Sequence, residues 1–217
     1  MMKFSEKTVG VLKNFSSINP SIVFKPGSVV RTISPQKTVM AAATIGENVD
    51  KKAGVYDLSR LLATLSLFDD PEVSFGDEKF TIKSGKSEVN YTYTSESLIV
   101  SPPENDIQIP DPEATVNVSW KDIDSVIRAT GVLQLPEVAF TSDGSSIKLS
   151  AVDSKVSTAD KYEVVVAEGV SVQPFNMIIK TDNLKLVPTD YEVTLSSKGM
   201  AHFKSDLVQY WIAIESR

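Results

Sequence analysis

Apolar residues recur at helical spacing in four segments of the chain. In the clearest segment, Leu58, Leu61, Leu62 and Leu65 stand at positions i, i+3, i+4 and i+7. This spacing places all four side chains on one face of a helix. Ser119 precedes another stripe and is a natural N-cap. The predicted helices are residues 4–17, 57–68, 119–131 and 181–187, the last of which stops before Pro188.

Each predicted helix is followed by two segments in which apolar and polar residues alternate around a glycine. Such alternation predicts strands, and the glycine between them predicts the turn of a β-hairpin. The firmest turns are Pro26-Gly27 and Asp143-Gly144, since both dipeptides are frequent in turns. The predicted hairpins are residues 21–33, 72–83, 137–149 and 191–204, and further strands are expected at residues 39–45, 88–94, 162–166 and 208–214.

A proline-rich, acidic stretch divides the chain into two halves. Residues 101–114 (SPPENDIQIPDPEA) lack periodicity and are predicted to be an interdomain linker. The domains on either side are residues 1–100 and 115–217, and each holds two helix-plus-hairpin units. The pattern therefore predicts an α+β fold of two similar domains. Repetition of this kind serves many purposes, so it leaves the function open.

Composition narrows the class of protein. The 217 residues suit one large or two medium domains, and 41% apolar with 23% charged residues is typical of a globular protein with a core. No run approaches the roughly 20 apolar residues of a membrane span, so no membrane association is expected. The absence of cysteine excludes disulfides, a thiol nucleophile and cysteine metal sites.

The net charge of −6 is unfavourable for a nucleic-acid partner, but the charges are unevenly distributed. The helix segments, with Lys3 and Lys180 included, hold eight of the 22 basic residues and five of the 28 acidic ones, so the acidic excess lies elsewhere. Basic residues on the outer helix faces suit DNA binding without regard to sequence, although any solvated helix face attracts them. The candidate DNA-facing residues are Lys3, Lys13, Arg60, Lys121, Arg128 and Lys185.

Chemical motifs are few. His202 is the single histidine and has no clear partner, whereas a metal site needs several clustered ligands. Asp69-Asp70 is interpreted as an acidic turn at the end of a helix, and no glycine-rich phosphate loop is present. No catalytic residue, metal site or cofactor is predicted.

Several segments resemble the sliding clamps of T-even-like phages. Residues 3–19 (KFSEKTVGVLKNFSSIN) carry the LKNF and IN pattern at which these clamps begin, and Tyr56-Asp57-Leu58 and residues 176–191 (NMIIKTDNLKLVPTDY) match the family as well. The resemblance covers nearly the whole chain. It implies the DNA-clamp fold and a closed homotrimeric ring, in which helices line a hole around duplex DNA and sheets lie outside.

The same resemblance implies a DNA polymerase processivity factor that is not itself an enzyme. Its expected partners are the replicative DNA polymerase, whose C-terminal peptide docks on the ring, the clamp loader ATPase and the late-transcription factors. The expected location is the cytoplasm of the infected bacterial host.

Subunits of such a ring are expected to join through strands at their edges. The predicted contact brings residues 88–94 of one subunit to residues 161–166 of the next. Its candidate residues are Tyr91, Tyr93, Tyr162 and Val164, although the tyrosines equally fit ordinary strand positions. The candidates for the partner-peptide pocket are Ile107 and Ile109, isolated in the acidic linker. These isoleucines could equally pin the linker to the domain beneath it.

Two other functions fit parts of the sequence. A phage structural or assembly protein could be built of repeated β-hairpin units, without a basic inner face. A hydrolase with unmatched chemistry is the other alternative, but the chain has no cysteine, a single histidine and no serine in a nucleophile-elbow motif.

Overall fold

The computed structural model describes residues 1–215, which form two compact units, one of Met1–Asn105 and one beginning at Asp106. The helices are α1 (Glu6–Ile18) and α2 (Leu58–Leu65) in the first unit and α3 (Trp120–Leu133) in the second. The strands of the first unit are β1 (Ile22–Phe24), β2 (Gly27–Ile33), β3 (Val39–Val49), β4 (Ala53–Val55), β5 (Glu72–Phe75), β6 (Lys79–Ser84) and β7 (Ser87–Thr92). Those of the second are β8 (Ala114–Val118), β9 (Glu137–Ser142), β10 (Ser146–Val152), β11 (Tyr162–Glu168), β12 (Phe175–Lys180), β13 (Tyr191–Ser196), β14 (Met200–Lys204) and β15 (Val208–Ala213).

Helices α1 and α2 pack against each other in the first unit. Each buries the apolar stripe that the sequence predicts, with Leu12 and Phe15 of α1 and Leu58 and Leu61 of α2 fully enclosed. The side chain of Asp57 caps α2 by accepting a hydrogen bond of 2.8 Å from the backbone N–H of Arg60. One face of each helix is therefore committed to the core, and the opposite face stays polar.

A cluster of aromatic rings fills the core of the first unit. The ring of Phe24 lies 6.3 Å from Phe4, 5.9 Å from Phe75 and 6.0 Å from Phe80, measured between centroids. The contacts with Phe75 and Phe80 are edge-to-face, the geometry that aromatic quadrupoles favour. The contacts of Phe24 with Phe75 and Phe80 therefore hold β1 against β5 and β6.

The strand pairing of the first unit differs from the prediction at one point. Strands β5, β6 and β7 form an antiparallel sheet, which confirms the hairpin predicted at residues 72–83. The hairpin predicted at residues 21–33 is wrong, because β1 pairs with β4 and β2 pairs with β3. Gly27 does adopt a positive φ of 116°. The Pro26-Gly27 bend therefore redirects the chain from one partner strand to another, since a turn fixes direction but not pairing.

In the second unit α3 packs against a four-stranded antiparallel sheet in the order β11-β10-β9-β12. Ile123 and Val126 of α3 meet Phe140, Leu149 and Phe203 in this core. A second sheet contains β15, β14, β13 and β8 in that order. The hairpins predicted at residues 137–149 and 191–204 are confirmed, and the side chain of Ser119 caps α3 as expected.

The fourth predicted helix, residues 181–187, is wrong. Only a single 3-10 turn, Thr181–Asn183, forms there. After it Leu184 and Leu186 are buried while Lys185 is exposed, an alternation typical of extended chain. Pro188 disfavours helical backbone in the residue before it, and the two buried leucines do not stand at a helical spacing, so their burial would not stabilise so short a helix. The α+β class holds, with three α-helices among residues 1–215.

Glu47 of β3 ties that strand to the start of α1. One carboxylate oxygen accepts a hydrogen bond of 2.5 Å from the backbone N–H of Ser5, and the other accepts one of 2.5 Å from the hydroxyl of Thr8. Partial burial alone would raise the pKa of Glu47, but these hydrogen bonds outweigh it and lower the pKa below its ordinary value. The ionised carboxylate therefore stabilises the junction between β3 and α1.

We expect Glu47→Gln to lower the free energy of unfolding by about 1 kcal/mol, because a charged acceptor is lost at a partly exposed site. Since the pKa of Glu47 is lowered by folding, its contribution is present above the ordinary carboxyl pKa and is lost as pH falls through the lowered value. Urea unfolding of both proteins from pH 7 to pH 3 should show the difference shrinking below about pH 4. Glu78→Gln, at an exposed position, is the control; equal effects of both substitutions would contradict the assignment.

Candidate nucleic-acid and subunit interfaces

The exposed faces of α1 and α2 carry two of the predicted DNA-facing residues. Lys13 is exposed on α1, opposite the buried pair Leu12 and Phe15. Arg60 is exposed on α2. Because α1 and α2 are packed side by side, both cations belong to the outer surface of one helix pair. Their role in DNA binding stays a prediction.

Lys3 and Arg128 are accessible but already paired with carboxylates. Lys3, just before α1, forms an ion pair with Asp70, and this hydrogen bond raises the pKa of Lys3 above its ordinary value. On α3 the guanidinium of Arg128 lies 2.7 Å from the carboxylate of Asp124, one helical turn away. Exposed pairs of this kind contribute little to stability because water solvates both charges. Either cation can therefore exchange its partner for another anion.

Lys121 and Lys185 complete the predicted DNA-facing set. Lys121 is exposed in the first turn of α3. Lys185 is also exposed, but it follows the 3-10 turn and stands in extended chain. Its place on a fourth basic helix was thus a consequence of the wrong helix assignment. The candidate DNA-facing residues of the second unit therefore lie on one α-helix and one extended segment.

Arg60 also takes part in a second surface. Its guanidinium carbon lies 6.0 Å from the ring centroid of Tyr91 on β7, within the range of a cation–π contact. Together with Tyr91, the exposed residues Tyr56 and Leu98 border a groove of about 580 Å³ between α2 and β7. Tyr56 is 62% exposed and Leu98 is 66% exposed. We name this the α2–β7 groove.

Strand β7 lies at the edge of its sheet, and so does β11 in the second unit. Within residues 1–215, no other strand pairs with the outer side of either one. Free edges of this kind expose unpaired backbone N–H and C=O groups and invite pairing with another chain. Sequence reasoning named both segments, and the structure places each at a sheet edge.

Tyr91 and Tyr93, two of the tyrosines predicted for the subunit interface, are anchored within the first unit. The hydroxyl of Tyr91 donates to the carbonyl of Asp57 at 3.0 Å, and that of Tyr93 donates to the carbonyl of Gly76 at 3.3 Å. The ring of Tyr93 meets Phe80 edge-to-face at 4.8 Å. Burial, followed by the nearby carboxylates, raises the pKa of Tyr93 to about 12. Both rings are half-buried and expose only part of their surface to a neighbour.

On β11 one of the two predicted interface residues is exposed and the other is not. Tyr162 is 38% exposed at the start of the strand, whereas Val164 is half-buried. The adjacent Val165 is 45% exposed and points away from the core. The three consecutive valines at residues 164–166 show no alternation of apolar and polar residues, so the sequence could not tell which of them faces outward.

A second groove lies beside the beginning of the predicted linker. Its volume is about 430 Å³, and it runs between the β1–β2 bend and residues 101–104. We name it the linker groove. Its lining residues are Val23, Lys25, Pro26, Val29, Arg31, Ser101, Pro102, Pro103 and Glu104. Sequence reasoning missed the contribution of β1 and β2, because nothing in the sequence indicates which strands lie under the linker.

Ile107 and Ile109, the predicted pocket residues, are half-buried and are absent from the lining of this groove. The linker beyond Asn105 is instead tied to its own unit. The indole N–H of Trp211 donates to the carbonyl of Ile107 at 2.8 Å, and the side-chain amide of Gln209 donates to Asp106 at 2.8 Å. The linker is therefore held to the sheet beneath through the backbone of Ile107 and the side chain of Asp106, and the role of the two isoleucine side chains stays a prediction.

His202 belongs to the same anchoring arrangement. Its ring stacks on Trp211 with centroids 4.8 Å apart, and its Nε2 lies 3.1 Å from the amide oxygen of Gln209. Burial lowers the pKa of His202, so the ring is neutral at pH 7. Among residues 1–215 no group of three or more histidine, cysteine, aspartate or glutamate side chains is placed to hold a metal ion.

No helix within residues 1–215 has the length and apolar character needed to cross a membrane.

Comparison with known proteins gives consistent matches along the whole chain. The family described as DNA polymerase processivity factor matches residues 3–101, and the family described as gp45 sliding clamp, C terminal, matches residues 115–216. The protein named Sliding clamp of Escherichia phage RB69 is 31% identical, over 99% of this chain and 97% of its own length. That of Vibrio phage KVP40 is 30% identical, over 99% of this chain and 100% of its own length.

Solved structures share the fold at much lower identity. The PCNA2–PCNA3 complex of Sulfolobus tokodaii matches with a TM-score of 0.71 and 14% identity, over 100% of this chain and 98% of the matched chain. PCNA of A. fulgidus, solved with the C-terminal region of FEN-1 bound, matches with a TM-score of 0.71 and 15% identity, over 96% and 95%. At such identities the likeness concerns the fold alone.

The anchoring of the linker by Trp211 can be tested without reference to function. We expect Trp211→Phe to keep the stacking on His202 but lose the hydrogen bond to Ile107, at a cost of about 1 kcal/mol. Cleavage after Glu104 and Glu113 by a glutamate-specific protease should then become faster. Trp120→Phe, which changes a half-buried indole on α3, is the matched control. Unchanged cleavage in Trp211→Phe would contradict the anchoring role.

Proposed function

The chain belongs to the sliding clamp family of DNA polymerase processivity factors, and we propose that three copies close into a ring around duplex DNA. The ring tethers the replicative DNA polymerase to its template in the cytoplasm of the infected host. The observation that carries the proposal is the pair of free sheet edges, β7 in one unit and β11 in the other. A chain with two complementary edges can pair head to tail with identical copies until the ring closes.

In this ring β7 of one subunit continues the sheet of the next through β11. Backbone pairing satisfies the edge groups that each subunit leaves exposed. Apolar side chains are available on both sides, with Tyr56 and Leu98 beside β7 and Tyr162 and Val165 on β11. Tyr91 and Tyr93 then act mainly as supports that fix β7, since their hydroxyls already have partners.

The basic helix faces are proposed to contact the DNA backbone. Lys13 and Lys121 are exposed, and Lys3 and Arg128 can leave surface carboxylates for phosphates at small cost. Scattered lysine and arginine contacts with phosphate bind duplex DNA without reading sequence. Weak contacts of this kind permit movement along the DNA while the closed ring prevents escape.

The linker groove is the proposed site for the C-terminal peptide of the polymerase. Support comes from its apolar walls, Val23 and Val29 on one side and Pro102 and Pro103 on the other. The related fold of A. fulgidus PCNA was solved with a C-terminal region of another protein bound. We extend the proposal to the clamp loader ATPase and the late-transcription factors as partners of the same ring, on the basis of the family alone.

The ring predicts a concentration-dependent mass in solution. We expect light scattering to give three times the chain mass at high concentration and smaller species on dilution. Val165→Asp should raise the concentration at which the ring dissociates by about ten-fold or more, because it buries a charge beside the strand edge. The matched control is Val156→Asp, since Val156 is 47% exposed and lies outside the strands. A monomer at every concentration would contradict the ring.

DNA retention tests the basic faces separately. We expect Lys13→Glu, Lys121→Glu and Arg128→Glu together to shorten retention on closed circular DNA by about ten-fold or more and to reduce its salt dependence, because phosphate contacts are lost. The mass of the ring should not change. Lys37→Glu, Lys155→Glu and Lys198→Glu, all at exposed positions in turns, form the matched control. Equal retention by the two triple variants would mean that the face is wrongly assigned.

Arg60 needs its own measurement because it lies at the α2–β7 groove. We expect Arg60→Glu to weaken both the assembly and DNA retention, whereas Lys13→Glu weakens retention alone. Light scattering and retention on the same two proteins separate these roles. An unchanged mass with reduced retention would place Arg60 with the DNA-facing residues only.

A further inference from the structure

The linker groove combines an apolar wall with two cations. Val29 is 44% exposed within it, and the prolines of residues 102–103 form the opposite side. Lys25 and Arg31 bring their positive charges to the same groove. An apolar peptide would gain affinity by burying its side chains against the walls. The two cations would favour peptides that carry an acidic residue next to the apolar ones.

The protein already supplies an anion to one of these cations. The Nζ of Lys25 lies 2.9 Å from the carboxylate of Glu104, whose side chain is 81% exposed. The hydrogen bond from Lys25 lowers the pKa of Glu104, so the carboxylate is fully ionised at neutral pH. Because the acid is so exposed, the pair is weakly held and open to exchange.

The segment that carries this acid has a pattern of its own. Residues 102–104 read Pro-Pro-Glu, two apolar residues followed by an acidic one. The prolines lie along the groove and the glutamate reaches its cation. The protein therefore places an apolar–apolar–acid sequence of its own at the edge of the groove, with the acid on Lys25.

From this arrangement we propose that Glu104 is an intramolecular competitor in the linker groove. The partner that it competes with is an apolar peptide bearing an acidic side chain, which replaces Glu104 on Lys25. This inference rests on the proposed docking of the polymerase peptide in the same groove. Displaced Glu104 returns to water, where it is well solvated, so the exchange costs little. The apolar contacts then provide most of the affinity and Lys25 provides the preference for an acid.

The test uses the trimeric protein and synthetic peptides of the C-terminus of the polymerase encoded with it. One peptide is native, and the other has its aspartate and glutamate residues changed to asparagine and glutamine. We expect Glu104→Gln to tighten binding of the native peptide roughly two- to five-fold, the range that an exposed ion pair supports. Lys25→Gln should abolish the preference for the native peptide, so that both peptides bind equally, because neither Glu104 nor the acid of the peptide then has Lys25 to pair with.

The double variant Lys25→Gln, Glu104→Gln completes the cycle. If the two residues act through each other, Glu104→Gln has no effect once Lys25 is gone. Lys37→Gln, at an exposed turn outside the groove, controls for loss of a positive charge in general. Val29→Ser, compared with Val156→Ser at similar exposure, reports whether the peptide occupies this groove at all.

The outcomes separate the two levels of the proposal. Loss of binding in Val29→Ser with no effect of Glu104→Gln or Lys25→Gln overturns the competitor and leaves the docking site in place. Binding that is insensitive to Val29→Ser, or absent altogether, overturns both the competitor role of Glu104 and the docking site. The proposed ring and its DNA retention are tested separately, by the measurements of mass and retention. A tightening by Glu104→Gln that persists without Lys25 also overturns the competitor role.

Discussion

The one-sided burial of amphipathic helices is the constraint on which the rest of this structure depends. Helices α1, α2 and α3 each bury an apolar stripe against neighbouring elements, with Phe15, Leu61 and Val126 almost wholly enclosed. Burial of such side chains is the dominant favourable term in folding. Because only one face of each helix is buried, the opposite face is exposed to solvent and can carry charge. Exposed lysine and arginine residues lie on this face.

A second consequence concerns the sheets beneath the helices. A helix covers one face of a sheet but cannot satisfy the backbone groups at its sides. Strands β7 and β11 are two of the edge strands where these groups remain open, and the half-buried Tyr91 and Tyr93 hold the first of them in position through hydrogen bonds within the unit. The conformation of this edge is thus fixed by contacts within the unit itself. This preorganises the edge for the proposed pairing with another copy.

Periodicity was a reliable guide wherever a segment has one buried face. The stripe of Leu58, Leu61 and Leu65 and the N-cap Ser119 both follow from local sequence, because helix start signals act within one turn. Strand pairing was less predictable. The Pro26-Gly27 bend resembles a hairpin turn, yet β1 pairs with β4, a partner strand that the turn residues do not encode.

The sites show the same division between local and long-range information. Exposure of Lys13 and Lys121 follows from helix geometry, whereas the failed helix at residues 181–187 changed the setting of Lys185. The edge segments around β7 and β11 were identified by resemblance to a known family rather than by periodicity. The groove beside Pro102 and Pro103 is formed by strands some 75 residues earlier, a contact that no local pattern encodes.

The pairing of Arg128 with Asp124 has a consequence for motion along a duplex. An arginine that leaves one phosphate with no other anion nearby must break an ion pair each time the protein moves along the DNA, and this creates a free-energy barrier. A guanidinium with its own carboxylate 2.7 Å away passes from one anion to another. In the proposed complex with DNA, this exchange smooths the free-energy landscape along the duplex axis. The acidic neighbour of Arg128 then favours sliding of the proposed ring rather than opposing its binding.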